Sequence, residues 1–221
     1  MLIYRILALV IGYFCGIILI GYLYGKFKKS DITKVGSGNV GTTNTLRAFG
    51  VKAAVITLLG DAAKPIMAML IVWLLFHNSQ PEGVRLLMLY AGAGAILGHN
   101  YPFYMKNFKG GKGIACTSGL ILAYCPIEVP LCLLLFVGIV ALTRYVSLGS
   151  LAVSSAFLIQ TILFGQIGLL DVTTEYKLEV YLITAAITLM AFYRHLENIS
   201  RLIQGTENKI TLKKNKEGAK A

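Results

Sequence analysis

Between Lys34 and Gly50 the chain reads KVGSGNVGTTNTLRAFG, which sets Gly36, Gly38 and Gly41 among hydroxyls at Ser37, Thr42, Thr43 and Thr45, amides at Asn39 and Asn44, and Arg47. That composition suits an anion. Glycines let successive backbone N–H groups turn inward, hydroxyls and amides add donors, and a guanidinium grips phosphate with two parallel hydrogen bonds. A loop made of ordinary turn residues would share some of these types. Three further stretches weigh against that plain reading.

The second is GHNYPFYMKNFKGGKGIACTSG, residues 98–119, where Lys109 leads into Gly110, Gly111, Lys112 and Gly113. A helix should start there, so free N–H groups, the positive helix end and an ammonium would converge on one phosphate. A nucleotide P-loop is excluded, because Lys106 stands where that pattern needs glycine and Gly113 where it needs Ser or Thr. His99 is either a general base or a hydrogen-bonded structural residue. The third stretch, RYVSLGS (144–150), offers Ser147 and Ser150, as ligand donors or as small residues that let helices approach. The fourth, RHLENISRLIQGTE (194–207), puts Arg194, Asn198 and Arg201 at i, i+4 and i+7, one face of a helix, with His195 inside it and Glu207 beyond. A juxtamembrane basic anchor would have no need of Asn198 or Glu207.

Some chemistries are missing from these stretches. There is no carboxylate pair, no metal-ligand cluster and no Ser-His-Asp order, so neither a metal nor a cofactor is expected. Cys15, Cys116, Cys125 and Cys132 form no C-x-x-C pair, lie mostly in apolar runs, and are read as buried apolar side chains. The His with Asp five positions on, used by soluble-type glycerolipid acyltransferases, is absent: Tyr104 follows His99 at that distance and Ser200 follows His195.

The elements that carry these stretches are membrane helices. Hydrophobic residues make up 56% of the chain against 14% charged, and mean hydropathy is +0.70, too little polar surface for a water-soluble globule. Runs near the twenty residues that cross a bilayer occur at 2–24, 53–76, 148–170 and 178–193, with shorter or interrupted runs at 86–105, 113–126 and 127–143. The expected fold is all-α, a polytopic membrane protein of seven spans over residues 1–207 with a flexible lysine-rich tail at 208–221. The first run is read as a retained span, since it lacks a basic leader and a small-residue cleavage site. With the N-terminus outside and the C-terminus inside, seventeen of the 21 Lys and Arg fall in inner loops and three outside, with Lys64 in mid-span. That arrangement also gathers all four polar stretches on one side.

The net charge of +11 points to phosphate ligands and anionic lipid, because the basic residues are scattered between apolar runs with no stripe for nucleic acid. Asp61 and Lys64 would lie about 14 and 18 Å into the second span. Each charge there costs on the order of 3 kcal/mol, so both should face the bundle interior, paired across i, i+3, as helix glue or as part of the site. Pro65 beside them should kink the helix. A phosphate or organophosphate transporter would use similar donors but needs polar access from both sides, and the outer loops, HNSQPEGVR and DVTTEYK, look like plain turns.

Along essentially its whole length the chain resembles the bacterial acyl-phosphate:glycerol-3-phosphate acyltransferases, the PlsY family. GSGNVGTTNTLRAFG (36–50), GHNYPFYMKNFKGGKGIACTSG (98–119) and RHLENISRLIQGTE (194–207) carry the resemblance, in the family's order and spacing. It implies a seven-helix enzyme of the bacterial cell membrane, its motifs facing the cytoplasm, acting as a monomer without cofactor in phospholipid synthesis. The reaction implied moves an acyl group from acyl phosphate to glycerol 3-phosphate, giving lysophosphatidate and inorganic phosphate. Two departures show: Cys116 stands where the family commonly has Thr, and the run from Pro102 to Gly110 is one residue longer. The residues expected to carry the reaction are Ser37, Asn39, Arg47, Lys112, His195 and Asn198. Gly38, Gly41, Thr43, Asn44, His99, Lys109, Gly110, Gly111, Gly113, Ser147, Ser150, Arg194, Arg201 and Glu207 are expected to bind substrate. The proton acceptor is left open among His195, His99 and an oxygen of the substrate phosphate.

Overall fold

The computed structural model describes residues 1–210, whose regular structure is all helical with no strand among them. Ten helices follow in order: α1 (Leu2–Gly16), α2 (Ile20–Phe27), α3 (Thr42–Phe49), α4 (Val51–Phe76), α5 (Val84–Asn100), α6 (Ile114–Tyr124), α7 (Val129–Thr143), α8 (Val146–Gln166), α9 (Lys177–Arg194) and α10 (Leu196–Ile203). Five segments are long and apolar enough to cross a membrane: Leu2–Phe27, Val51–Phe76, Pro126–Thr143, Val146–Gln166 and Thr174–Arg194. The predicted runs 86–105 and 113–126 correspond to α5 and the shorter α6. Leucines such as Leu142 and Leu189 stand exposed, as lipid-facing side chains do, while the buried core holds Ala8, Ala68, Ala91 and Ala95.

Small residues fix the central pair. A Cβ added at Gly12 or Gly16 would overlap the carbonyl oxygen of Ala91 or Ala95, and one at Gly94 or Gly98 would overlap that of Leu9 or Tyr13. Residue numbers rise together on both sides, so α1 and α5 run parallel with backbones in contact, as small-xxx-small spacing allows. Helix α4 runs antiparallel to α1: Gly60 faces Ile20 while Lys64 reaches Gly16. At one end of the bundle Arg5, opening α1, pairs with Glu179, opening α9, at 2.6 Å, and Tyr90 of α5 donates to the same carboxylate at 2.5 Å.

Two expectations change. The first run is broken, α1 ending at Gly16 and α2 starting at Ile20. The 194–207 stretch is split, because α9 ends at Arg194 and His195 links it to α10, so Arg194 does not share a helix face with Asn198 and Arg201. Pro65 lies inside α4. Before Gly110 the chain makes a 3-10 turn, Lys106–Phe108, where Asn107 and Phe108 have φ of 56° and 51°. Of the predicted tail, residues 208–210 run along the α7–α8 turn, with Ile210 N–H donating to Arg144 O at 2.8 Å. Residues 211–221 lie outside the described residues.

Candidate active site

The polar stretches meet at the bundle end opposite the Arg5–Glu179 pair. Glu207 is the hub. Its Oε1 accepts from Asn198 Nδ2 at 2.7 Å and Ser147 Oγ at 2.9 Å, and its Oε2 from Arg201 Nε at 2.7 Å. Asn198 in turn accepts through Oδ1 from the Lys112 ammonium. The ammonium, the amide, the carboxylate and the guanidinium thus form one connected network drawn from the α6 start, the α8 start and α10. Arg47 of α3 joins from the first stretch, donating to Asn208 O at 3.5 Å with Arg201 and Glu207 close enough to act on its charge.

The glycine turn is anchored from beneath. Gly110 N–H donates to Asn100 O at 3.1 Å and Gly111 N–H to His99 O at 2.9 Å, filling carbonyls that the end of α5 leaves open. On its other edge Arg194 donates to Gly110 O at 3.1 Å and to Gly111 O at 2.8 Å while its guanidinium covers the Tyr101 ring. Gly113 follows at φ +80° as the N-cap of α6, a left-handed conformation natural to glycine. The picture of free N–H groups at Gly110 and Gly111 is therefore corrected: both amides are taken. The donors left for an anion are the first-turn amides of α6 and the Lys112 ammonium. Arg194 likewise holds the turn and is not a free cation.

The first stretch changes in the same way. Asn44, 2% exposed, accepts from Ser37 N–H at 2.9 Å and donates to Val35 O at 2.9 Å, Gly38 N–H donates to Val35 O at 3.0 Å, and Gly41 N–H donates to Asn39 Oδ1 at 3.0 Å. Those amides shape the loop, and Asn44 is its brace. What stays available is the first turn of α3 and the hydroxyls of Ser37, Thr42 and Thr43. Among the described residues the Ser37, Asn39 and Thr43 side chains bond to nothing in the other stretches. Lys109 is exposed, and Ser150 Oγ is turned back onto Val146 O at 2.8 Å in its own helix.

Electrostatics follow from burial and these partners. Burial, then the Arg201 guanidinium, pushes Lys112 down to about 8, so its charge is poised for an incoming anion to hold. Burial raises the Glu207 carboxyl, but hydrogen bonds from Asn198, Arg201 and Ser147 outweigh it and keep the group ionised below its ordinary value. His195, 3% exposed, is pushed down to about 4, chiefly by burial, and is neutral near pH 7. Its Nδ1 lies 2.7 Å from Ala191 O. A carbonyl only accepts, so Nδ1 carries the proton and Nε2 keeps its lone pair. His99 is placed differently. It is 2% exposed, its Nδ1 is 2.8 Å from the Lys64 ammonium, and its Nε2 edge packs on Gly111.

Sequence reading missed one residue here, Asn100. It is fully buried, with both side-chain polar atoms unpartnered and set against Gly113; Thr42 Oγ1, one of the hydroxyls expected to serve as a donor, is likewise buried and unpartnered. A buried, unsatisfied amide beside a helix N-terminus is a candidate ligand contact. Only its place one residue after His99 in the glycine-rich stretch could have signalled it.

The family model for glycerol-3-phosphate acyltransferase matches residues 6–205. The chain belongs to the glycerol-3-phosphate acyltransferase family. A curated family member from Halalkalibacterium halodurans, named glycerol-3-phosphate acyltransferase, is 39% identical over 208 residues, covering 93% of this chain and 96% of that protein. One from Thermoanaerobacter sp. strain X514, with the same name, is 33% identical over 94% of this chain and 96% of its own length. The fold matches the crystal structure of PlsY, an integral membrane glycerol 3-phosphate acyltransferase in its glycerol 3-phosphate form, with TM-score 0.75 and 33% identity over 95% of both chains. The lysophosphatidic acid form of the same enzyme gives TM-score 0.76 and 32% identity. The chain is accordingly an integral membrane acyltransferase. Among the described residues of this acyltransferase no group of His, Cys, Asp and Glu could hold a metal ion.

Proposed function

We propose that this acyltransferase takes its acyl group from acyl phosphate and delivers it to the C1 hydroxyl of glycerol 3-phosphate, releasing lysophosphatidate and inorganic phosphate. Acyl phosphate is a mixed anhydride with a good leaving group, so no covalent enzyme nucleophile is needed and alignment with charge neutralisation can carry the barrier. The observation that carries this reading is the network at Lys112. The Lys112 ammonium, beside the first-turn amides of α6, donates to Asn198, the Arg201 guanidinium donates to Glu207 in the same network, and Arg47 lies close enough to both Arg201 and Glu207 to feel their charge. In this reading Lys112 and the α6 amides take the phosphate that leaves. Arg47 and Arg201 take the phosphate of the acceptor, and the α3 hydroxyls at Ser37, Thr42 and Thr43 complete the cradle.

Of the three candidate proton acceptors, His195 is supported best. Its ring is neutral and keeps a free Nε2 lone pair, whereas the His99 ring is held between Lys64 and Gly111. The relatives solved with glycerol 3-phosphate and lysophosphatidic acid, as their names state, are consistent with the acceptor and product proposed. Seven crossings, the N-terminus outside and the site on the cytoplasmic side of a bacterial membrane are supported by the charge asymmetry and by the gathering of the four stretches at one bundle end. In this reading the acyl tail lies between helices, open to the inner leaflet, and the enzyme acts as a monomer.

The deciding experiment compares donors. Purified protein in detergent is given glycerol 3-phosphate with acyl phosphate, or with acyl-CoA, and lysophosphatidate is followed by mass spectrometry. Product with acyl phosphate and none with acyl-CoA supports the proposal; product only with acyl-CoA refutes it.

A further inference from the structure

A second group of buried ionisable side chains lies outside the network just described. Lys64 is 6% exposed, Asp61 1% and His99 2%. The Lys64 ammonium sits 2.8 Å from Asp61 Oδ1, 2.8 Å from His99 Nδ1, 3.2 Å from Gly16 O and 3.1 Å from Ile18 O. Asp61 and Lys64 stand three apart on α4, so their pairing joins no two elements. It fixes an ammonium whose other partners belong to two separate segments.

One is the break between α1 and α2. Gly16 and Ile18 carbonyls are opened by the helix ending there, and the ammonium fills them. The break sets the course of α2, on which the first polar stretch rests: a Cβ at Gly21 would overlap Val40 O and stand 2.9 Å from Thr45 Oγ1. The other is the His99 ring. As an ammonium only donates, Nδ1 must accept, and the ring carries its proton on Nε2. That edge lies against the turn that precedes Lys112, since a Cβ at Gly111 would overlap Nε2 and stand 2.7 and 2.8 Å from Cδ2 and Cε1.

We infer that Lys64, held by Asp61, is a positioning residue that sets the first polar stretch and the Lys112 turn at a fixed distance from each other. It touches no substrate. Each of its neutral partners stands directly behind one of the two anion-binding segments, and the transfer needs both substrates aligned at once. Cys116, fully buried on α6, lies beside the same pair.

The test removes both charges together with Lys64→Met and Asp61→Asn in one chain, which leaves no unpaired ion in the interior. In detergent, the folded fraction is measured by size exclusion and thermal unfolding, and turnover is expressed per folded enzyme. The expected result is a fall in kcat of about tenfold or more, with the dissociation constant for glycerol 3-phosphate moved by less than about threefold. A kcat within about twofold of the parent overturns the inference. Should the double variant not fold, His99→Leu and His99→Asn decide. Asn keeps an acceptor near the Nδ1 position, so it should retain about tenfold more turnover than Leu, and equal turnover of the two overturns the inference. The inference rests on the acyl-transfer reading, so the parent is assayed first. An inactive parent refutes that reading, whereas an active parent with unaltered variants refutes the positioning role alone.

Discussion

Gly110→Ala probes the anchoring of the Lys112 turn with the smallest possible change. A Cβ at this position would overlap the His99 carbonyl oxygen, stand 2.7 Å from Pro102 Cδ and lie 3.0 Å from Asn100 O. The overlapped atom is backbone of α5, which the Gly94 and Gly98 contacts clamp to α1, so α5 cannot give way. The turn must lift instead, by on the order of 1 Å, breaking the hydrogen bonds that the Gly110 and Gly111 N–H groups donate to α5. Overpacking of this kind costs roughly 1–3 kcal/mol of stability. The larger effect falls on chemistry, because Lys112 rides on the same turn and a displacement of about 1 Å in a positioned group lowers turnover by about 10²-fold. The assay is continuous phosphate release from acyl phosphate with saturating glycerol 3-phosphate. Gly138→Ala is the control, since nothing lies within 4 Å of a Cβ there. Folded Gly110→Ala protein with more than about a third of parental turnover would refute the claim that the turn is held against α5.

Other outcomes follow from the same geometry. With Lys112 at about 8, kcat/KM for acyl phosphate should fall about tenfold per pH unit above that value as the ammonium is lost. A bound phosphate restores the charge, so the fall in kcat should come at higher pH. Lys112→Arg, if active, should remove the limb, and a flat parental profile to about pH 10 would contradict this role. His195→Ala should lower kcat by about 10²-fold or more, and the parental profile should show no acid limb near the ordinary histidine value of about 6.5, because His195 titrates near 4. Unchanged turnover would move the proton-accepting role to the substrate phosphate. Gly94→Ala, whose Cβ would overlap Leu9 O, should lower stability by roughly 1–3 kcal/mol, read as a drop in thermal midpoint in detergent.

Much of the scaffold was legible because a bilayer leaves few options. The run 53–76 became α4, Val51–Phe76, and each predicted run has its helix. The break after Gly16 was hidden because the run is apolar throughout; the feature that satisfies it is a lysine on another helix. The split at His195 was hidden for a similar reason, since i, i+4 and i+7 spacing assumes the helix it is used to describe. At the site, residue types pointed to the right stretches but not to the right donors. Composition cannot say that Gly110 and Gly111 amides face the end of α5, or that Asn44 is wholly engaged by its own loop. Nor can it foresee Glu207 as the hub, because Ser147 is sixty residues away from it in the chain and meets it only in the fold.

The proposed transfer requires two phosphate-bearing substrates held in one pocket. Phosphorus NMR on the purified chain follows both at once. Acyl phosphate mixed with glycerol 3-phosphate should give lysophosphatidate and inorganic phosphate in equal amounts, and acyl phosphate alone should persist. Inorganic phosphate appearing without lysophosphatidate, or both substrates remaining unchanged with folded protein, would contradict it.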